Sequence, residues 1–280
     1  MTLSGNARLA GVMGCPIAHS LSPRLHGYWL REYGIDGAYL PLPVLPGNLE
    51  HALRALSKLG FRGVNLTVPH KEAAVPFLDD VDDVARRIGA VNTVFVSSDG
   101  ALSGTNTDAQ GFISNLKANA KHWSADDGPT VVLGAGGSAR AVVVGLVNAG
   151  CNDIVVVNRT REKADALAQH IGGRITVRDW PDRNDVLETA ALLVNTTTLG
   201  MANQPALDVN LGTLPKDAVV TDIVYAPLET PLLAAAKTRG NTVVDGLGML
   251  LHQAAPGFEG WFGQRPEVTP ALRTYVLEAS

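Results

Sequence analysis

Two groups of residues in this chain have the types and spacing to do chemistry. The first is Val131-Val132-Leu133-Gly134-Ala135-Gly136-Gly137-Ser138-Ala139-Arg140, an apolar strand entering a glycine-rich turn that opens a helix. Glycines at 134, 136 and 137 admit positive φ and let backbone N–H groups approach a phosphate at the positive end of that helix. Ala139 stands where the third glycine of the dinucleotide fingerprint falls, a replacement that preserves close helix packing. A tight turn without a ligand is the plainer reading of such glycines, and the strand-turn-helix context favours a dinucleotide. The next strand ends at Val157-Asn158-Arg159-Thr160, where an NAD site would place an acid for the ribose 2′-hydroxyl. No acid is there. Arg159 offers a planar donor fork and permanent charge for a 2′-phosphate, and Lys163 a second cation from the first helical turn. The pattern predicts NADP over NAD, against the duller alternative of a solvated arginine at a strand end.

The second group is a density of small polar residues near strand ends in the first half. It comprises Ser20 and Ser22, Asn65, Thr67 and Lys71 within Asn65-Leu66-Thr67-Val68-Pro69-His70-Lys71, then Asn92 and Asn106-Thr107-Asp108. In a doubly wound sheet ligands lie beyond the carboxyl ends of the strands, so these segments could converge on one polar pocket. Hydroxyls, amides and an ion pair suit a polyhydroxylated, anionic small molecule. Singly, each has another explanation: Ser22 before Pro23 makes an N-cap, Asp108 caps the helix after it, and Lys71 is solvated.

The elements that must position these groups follow from the apolar patterning. Short runs rich in Val, Leu and Ile alternate with stretches of helical period, which predicts βαβ units on a mostly parallel sheet, an α/β fold. Strands are expected at 9–14, 38–44 and 63–68, helices at 22–33 and 48–59, and helical stretches at 71–78 and 81–88. A hairpin at 92–96 and 101–105 turns at Asp99-Gly100, and a helix covers 108–120. The polar segment 122–129 separates this block from a second strand-first series. That series has strands at 130–133, 153–158, 174–177, 192–196, 219–223 and 242–245 and a helix at 139–148. Helices at 249–262 and 269–279 end it.

Composition narrows the functional classes. The 280 residues are 46% hydrophobic and 18% charged, with net charge −4 and no block of like charge, so two packed domains are expected and a nucleic-acid-binding role is not. Cys15 and Cys151 are too few for a disulfide framework and lack metal-ligand spacing; no metal is expected, and a reducing, cytoplasmic setting is. With no run of ~18 apolar residues and no signal-peptide pattern, no membrane association is expected. Oligomeric state stays open, a homodimer included.

Taken in order, Ser20-Leu21-Ser22, Asn65–Lys71, Ala90-Val91-Asn92-Thr93, Asn106-Thr107-Asp108, Gly134–Ala139, Asn158-Arg159-Thr160, Asn195–Met201, Asp222–Tyr225 and Asp245–Gln253 resemble the shikimate dehydrogenases. The resemblance implies reversible NADPH-dependent reduction of 3-dehydroshikimate to shikimate, in the pathway to aromatic amino acids. It also implies an N-terminal α/β substrate domain, a C-terminal Rossmann-type domain and a cleft between them. The expected bounds are 1–122, joined by 247–280, for the substrate domain and 123–246 for the NADP domain.

Residue by residue, the resemblance makes Ser20 and Ser22 carboxylate binders, and Thr67, Asn92, Asp108, Tyr225 and Gln253 substrate contacts. Lys71 and Asp108 become the catalytic pair. Toward NADP it implies Gly134, Ala135, Gly136, Gly137, Ser138, Asn158, Arg159, Thr160, Lys163, Ile223, Gly246, Met249 and Asp83. Ala109 departs from the glycine common in relatives, which puts local backbone freedom in question and leaves Asp108 intact. A neighbouring carboxylate favours the charged form of a lysine, so an ammonium at 71 can donate to the oxygen when a ketone is reduced. A quinate/shikimate dehydrogenase of broader specificity is the same-class alternative, opposed by Ser22 and Arg159. A catalytically silent dinucleotide-binding regulator is the other, opposed by the retention of Lys71 and Asp108.

Overall fold

The computed structural model describes residues 3–278. Packing divides the chain into two compact units, one holding the chain up to Thr107 and again from Gln253 onward, the other Asp108–His252. Both are α/β.

In the first unit, β1 (Arg8–Gly14), β2 (Gly37–Pro43) and β3 (Phe61–Leu66) are parallel, linked by α1 (Ser22–Glu32) and α2 (Leu49–Ala55). A one-turn helix, α3 (His70–Ala73), follows β3; then come β4 (Asp80–Val81), α4 (Asp83–Ile88) and the hairpin β5 (Thr93–Val96) and β6 (Leu102–Thr105). The sheet order is β2-β1-β3-β5-β6-β4. It is mixed rather than mostly parallel: β5 runs antiparallel to β3, and the turn at Asp99-Gly100 reverses the chain so that β6 is antiparallel to β5.

Several local expectations are corrected. Ser22 is the first helical residue and not the cap: Leu21 holds the N-cap position without a side-chain bond, and the Ser20 hydroxyl accepts the Ser22 N–H at 3.3 Å. The stretch 71–78 is α3 followed by a 3-10 turn at Val75–Phe77, since Pro76 has no N–H to continue a helix. Residues 80–81 pair with β6, and α4 starts only at Asp83, capped by Asp82 accepting from the Ala85 N–H at 2.8 Å.

In the second unit, α5 (Asp108–Asn119) precedes β7 (Thr130–Leu133), α6 (Gly137–Ala149), β8 (Ile154–Asn158), α7 (Arg161–Ile171), β9 (Ile175–Asp179), β10 (Leu192–Asn195), β11 (Val219–Asp222), α8 (Pro231–Arg239) and β12 (Thr242–Val244). All six strands are parallel in the order β12-β11-β10-β7-β8-β9. This is the doubly wound dinucleotide-binding order, whose direction of winding switches between β7 and β10. Residues such as Val131, Val132, Leu133, Leu192, Leu193 and Val194 are fully buried, as strands covered on both faces require. The unit begins at Asp108, ahead of the expected cut near 122, because α5 buries Ala109, Phe112 and Leu116 on one stripe and packs on α6.

The second division falls at 252/253, inside α9 (Leu247–Phe262), rather than at 246/247; α10 (Pro270–Leu277) completes the first unit. Ala279, the expected end of the last helix, lies outside the described residues. From Gln253 on, α9 supplies an aromatic core to the first unit: Phe258 and Trp261 meet Trp29, His26 and Tyr39, Phe262 packs on Phe258, and the Trp261 N–H donates to the Val94 carbonyl at 3.1 Å. A second cluster packs Leu49, Leu53 and Ala85 against Met13, Val64 and Val94. Among the described residues no helix is long and apolar enough to cross a membrane, and no cluster of His, Cys, Asp and Glu could hold a metal ion.

Candidate active site

In the first unit Asn65, Thr93, Thr107 and Gln253 meet around Asn92, which is 2% exposed. Its backbone is fixed on both neighbours, with N–H to the Thr105 carbonyl at 3.1 Å and carbonyl accepting from the Leu66 N–H at 2.8 Å. The side-chain Oδ1 accepts from the Thr93 hydroxyl at 2.9 Å and the Thr107 N–H at 2.9 Å. Its Nδ2 donates to Gln253 Oε1 at 3.4 Å. One residue back, the Val91 N–H donates to the Lys71 carbonyl at 2.8 Å. The segment Val91-Asn92 therefore ties down both the backbone of Lys71 and that of Thr107, the residue before Asp108.

Asn65 extends this network. It donates to the Asn92 carbonyl at 3.0 Å and to Thr93 Oγ1 at 3.1 Å, and accepts from the Tyr39 hydroxyl at 2.6 Å. Tyr39 also shares a side-chain hydrogen bond with Ser22, and burial pushes its phenol well above the ordinary range, so it stays a neutral donor. A continuous chain of polar contacts thus runs from Ser22 through Tyr39 and Asn65 to Asn92. Thr67 sits at the end of β3, its N–H on the Met13 carbonyl and its own carbonyl accepting from the His70 N–H at 2.8 Å. Sequence reasoning missed Tyr39, which reads as an ordinary strand aromatic, and left Asn65 without a role, although its polarity on an otherwise buried strand was a signal. Asp83 lies exposed in the first turn of α4, and no hydrogen bond ties it to this network.

The second unit builds the glycine turn as predicted in place but not in detail. Gly134 alone has positive φ, +112°; a Cβ there would lie 2.6 Å from Thr196 Oγ1, which itself donates to the Leu133 carbonyl at 2.6 Å. Gly136 is the N-cap of α6 with φ −83°, no side chain caps the first-turn amides, and Gly136, Gly137 and Ser138 are exposed. Because nothing lies within 4 Å of a Cβ position on Gly136, the uncapped helix end is an open cradle. Ala135 lies beside it at the end of β7, at the switch point.

Across that point Asn195 donates to Asp222 Oδ1 at 3.1 Å and to the Leu199 carbonyl at 3.2 Å. Asp222, fully buried, also accepts from the Val224 N–H at 3.0 Å and the Thr230 hydroxyl at 2.8 Å. Burial pushes its carboxyl upward while these bonds oppose the shift. The network fixes the loop carrying Ile223 and Tyr225. Ile223 donates to the Asn195 carbonyl at 3.1 Å, and a Cβ on Gly246 would collide with the Ile223 carbonyl. Met249 follows in the first turn of α9.

At the end of β8, Asn158 donates to the Thr160 carbonyl at 2.7 Å, which shapes the turn into α7. The nearby Asp165 and Asp179 carboxylates are engaged by Arg161. Arg159, Thr160 and Lys163 are exposed, and neither cationic side chain is paired with a described residue. The residues present fit a dinucleotide phosphate: an uncapped helix N-terminus for the diphosphate and, where a ribose 2′-phosphate falls, two cations unpaired among the described residues, with the nearby Asp165 and Asp179 carboxylates held by Arg161.

Three family models match: the shikimate dehydrogenase substrate binding domain over residues 12–94, shikimate / quinate 5-dehydrogenase over 117–207, and the shikimate 5′-dehydrogenase C-terminal domain over 246–274. The chain is 59% identical over 275 residues to a shikimate dehydrogenase (NADP(+)) of Paramagnetospirillum magneticum, covering 98% of this chain and all of that one. A Rhodospirillum rubrum protein of the same name is 57% identical, with 98% and 99% covered. Among solved structures, shikimate 5-dehydrogenase of Thermus thermophilus in complex with NADP(H) and shikimate superposes with a TM-score of 0.86 at 39% identity, covering 98% of this chain and 100% of that one. Quinate dehydrogenase of Corynebacterium glutamicum in complex with NAD gives 0.90 at 33% identity, with 97% and 99% covered. With relatives this similar along nearly its whole length, the chain belongs to the shikimate dehydrogenase family.

Proposed function

We propose that this chain is an NADP-dependent shikimate dehydrogenase that reversibly reduces 3-dehydroshikimate to shikimate in aromatic amino acid biosynthesis, acting in the cytoplasm. The observation that carries the reading is the buried Val91-Asn92 segment, which fixes the backbones of Lys71 and Thr107 together. Asp108 follows Thr107 directly, so both proposed catalytic residues take their place from one rigid segment. The first unit binds the substrate and the second binds NADP.

Ser20 and Ser22 donate hydroxyls to the substrate carboxylate, for which the Ser22 hydroxyl turns its one proton from the Tyr39 oxygen. Thr67, Asn92, Asp108, Tyr225 and Gln253 bind the ring hydroxyls; most of them are neutral donors or acceptors, which suits an uncharged polyol. NADP is held by Gly134, Ala135, Gly136, Gly137 and Ser138 at its diphosphate, by Asn158, Arg159, Thr160 and Lys163 at its adenosine side, and by Ile223, Gly246, Met249 and Asp83 elsewhere; when bound, the reduced cofactor supplies the hydride. Lys71 donates the proton to the ketone oxygen in reduction and receives it in oxidation. Asp108 orients the ammonium and accepts from the same hydroxyl, so that the oxygen is held in the plane needed for transfer.

Steady-state rates crossing shikimate and quinate with NADP and NAD test the reading. Shikimate with NADP should exceed shikimate with NAD in kcat/KM by about tenfold or more, the discrimination expected of one charge-assisted contact, and should exceed quinate with either cofactor. A preference for quinate or for NAD would overturn it.

A further inference from the structure

We infer that His70 is the positioning residue for Lys71: its buried imidazole pins the single helical turn that carries the lysine to the end of β2. The inference rests on the proposed role of Lys71 in proton transfer.

The helix α3 spans only His70–Ala73, and Pro69 at its N-cap contributes no side-chain cap. One turn of helix is not stable by itself, so the orientation of Lys71 depends on what ties the turn down. On one side the Val91 N–H donates to the Lys71 carbonyl at 2.8 Å. The His70 N–H on the Thr67 carbonyl at 2.8 Å joins the start of the turn to the residues after β3. On the other side His70 Nε2 lies 2.8 Å from the carbonyl of Val44, just beyond β2. Val44 is itself anchored, its N–H on the Gly14 carbonyl at the end of β1 at 3.2 Å. The turn is thereby held between the segment preceding β5 and the end of β2, which are separated by β1 and β3 in the sheet.

The chemistry of this contact fixes the tautomer. A carbonyl only accepts, so Nε2 carries the hydrogen and Nδ1 presents a lone pair. His70 is fully buried, and Nδ1 has no partner among the described residues. A buried unsatisfied acceptor opposes folding, and an apolar side chain of similar size would avoid that cost. What an imidazole adds here is one directed N–H, aimed at Val44, on the residue adjacent to Lys71.

The test is a double-mutant cycle with Lys71→Ala, reading kcat and KM for shikimate oxidation with NADP, and thermal unfolding in parallel. His70→Leu removes the directed N–H; His70→Gln restores an amide N–H near the Nε2 position, whereas His70→Asn places its amide near Nδ1 and falls short of Val44. His70→Leu should lower kcat by about 10- to 100-fold, as a displacement of ~1 Å can, with KM changed by less than about threefold. His70→Gln should recover most of kcat and His70→Asn should not, a comparison that stands even if the leucine variant does not fold. In the Lys71→Ala background the same His70 substitutions should change kcat by less than about twofold, because the residue they position is gone. Equal losses in both backgrounds, or a folded His70→Gln protein no better than His70→Asn, overturn the inference while leaving the role of Lys71 intact. A Lys71→Ala protein with wild-type kcat refutes the role of Lys71, and the inference with it.

Discussion

Replacing His26 by Phe should flatten the acid sensitivity of folding. His26 is fully buried on α1, its ring stacked on Tyr39 at 3.9 Å with 4° between planes and bounded by Trp29, Phe258 and Trp261. Neither ring nitrogen has a hydrogen-bond partner among the described residues, and burial lowers its pKa from 6.5 to about 3. The folded value is depressed. Above pH 6.5 both states hold a neutral ring and the group contributes nothing; between 6.5 and about 3 only the unfolded chain binds the proton, so stability falls with acidification. At ~1.4 kcal/mol per unit, the loss reaches about 2 kcal/mol at pH 5. Urea unfolding followed by tryptophan fluorescence at pH 7.5 and pH 5.0 measures it, for wild type and for His26→Phe. Phenylalanine relieves two unsatisfied nitrogens and adds bulk, effects of opposite sign that are the same at both pH values and cancel in the difference between slopes. The wild type should lose roughly 2 kcal/mol more than the variant. Parallel pH dependence in the two proteins, within ~0.5 kcal/mol, would show that His26 ionises freely in the folded state and refute the reasoning.

Further outcomes follow from the two sites. Lys71→Ala should lower kcat by ~10²–10⁴ with a much smaller change in KM, the usual contribution of a positioned proton donor; near wild-type kcat in a steady-state assay rules the assignment out. Ser20→Ala or Ser22→Ala should act chiefly on KM for shikimate, extending to kcat if misplacement spoils the transfer geometry, and unchanged kcat/KM in both variants removes these hydroxyls from the carboxylate. Arg159→Ala should weaken NADP use by about 10- to 100-fold, the equivalent of ~1.5–3 kcal/mol for one charge-assisted bond, and leave NAD use nearly unchanged. Equal losses for both cofactors would assign Arg159 to the fold or to the adenine instead.

Where local sequence determines structure, the reading from sequence was close. The central strands of the second unit, β7, β10 and β11, are buried runs rich in Val and Leu, the ends of all six strands fall within a residue or two of those expected, and the Asp99-Gly100 turn placed the hairpin, with Gly100 at φ +89°. Features that depend on partners distant in the chain were not legible. Two residues, Asp80 and Val81, form a strand only because β6 offers them an edge. The first unit boundary falls before α5 because that helix finds its packing partner in α6, beyond an intervening strand. At the site, the residue types were legible one by one, since Ser, Asn, Thr and Lys at strand ends are conspicuous. Their organisation was not: the route from Ser22 through Tyr39 to Asn65 joins α1, β2 and β3, and the bond from His70 to Val44 joins residues 26 apart in sequence.

The central claim, that this chain moves a hydride between a nicotinamide and the ring of shikimate, is tested most directly by isotope transfer. Unlabelled 3-dehydroshikimate would be incubated with the protein and NADPH deuterated on the transferring face of the nicotinamide C4, and the product analysed by mass spectrometry. The account predicts shikimate carrying a single deuterium at the carbon that bore the ketone, with formation slowed by Lys71→Ala to the same degree as kcat. Unlabelled shikimate, or no shikimate from folded protein with both substrates present, would contradict it.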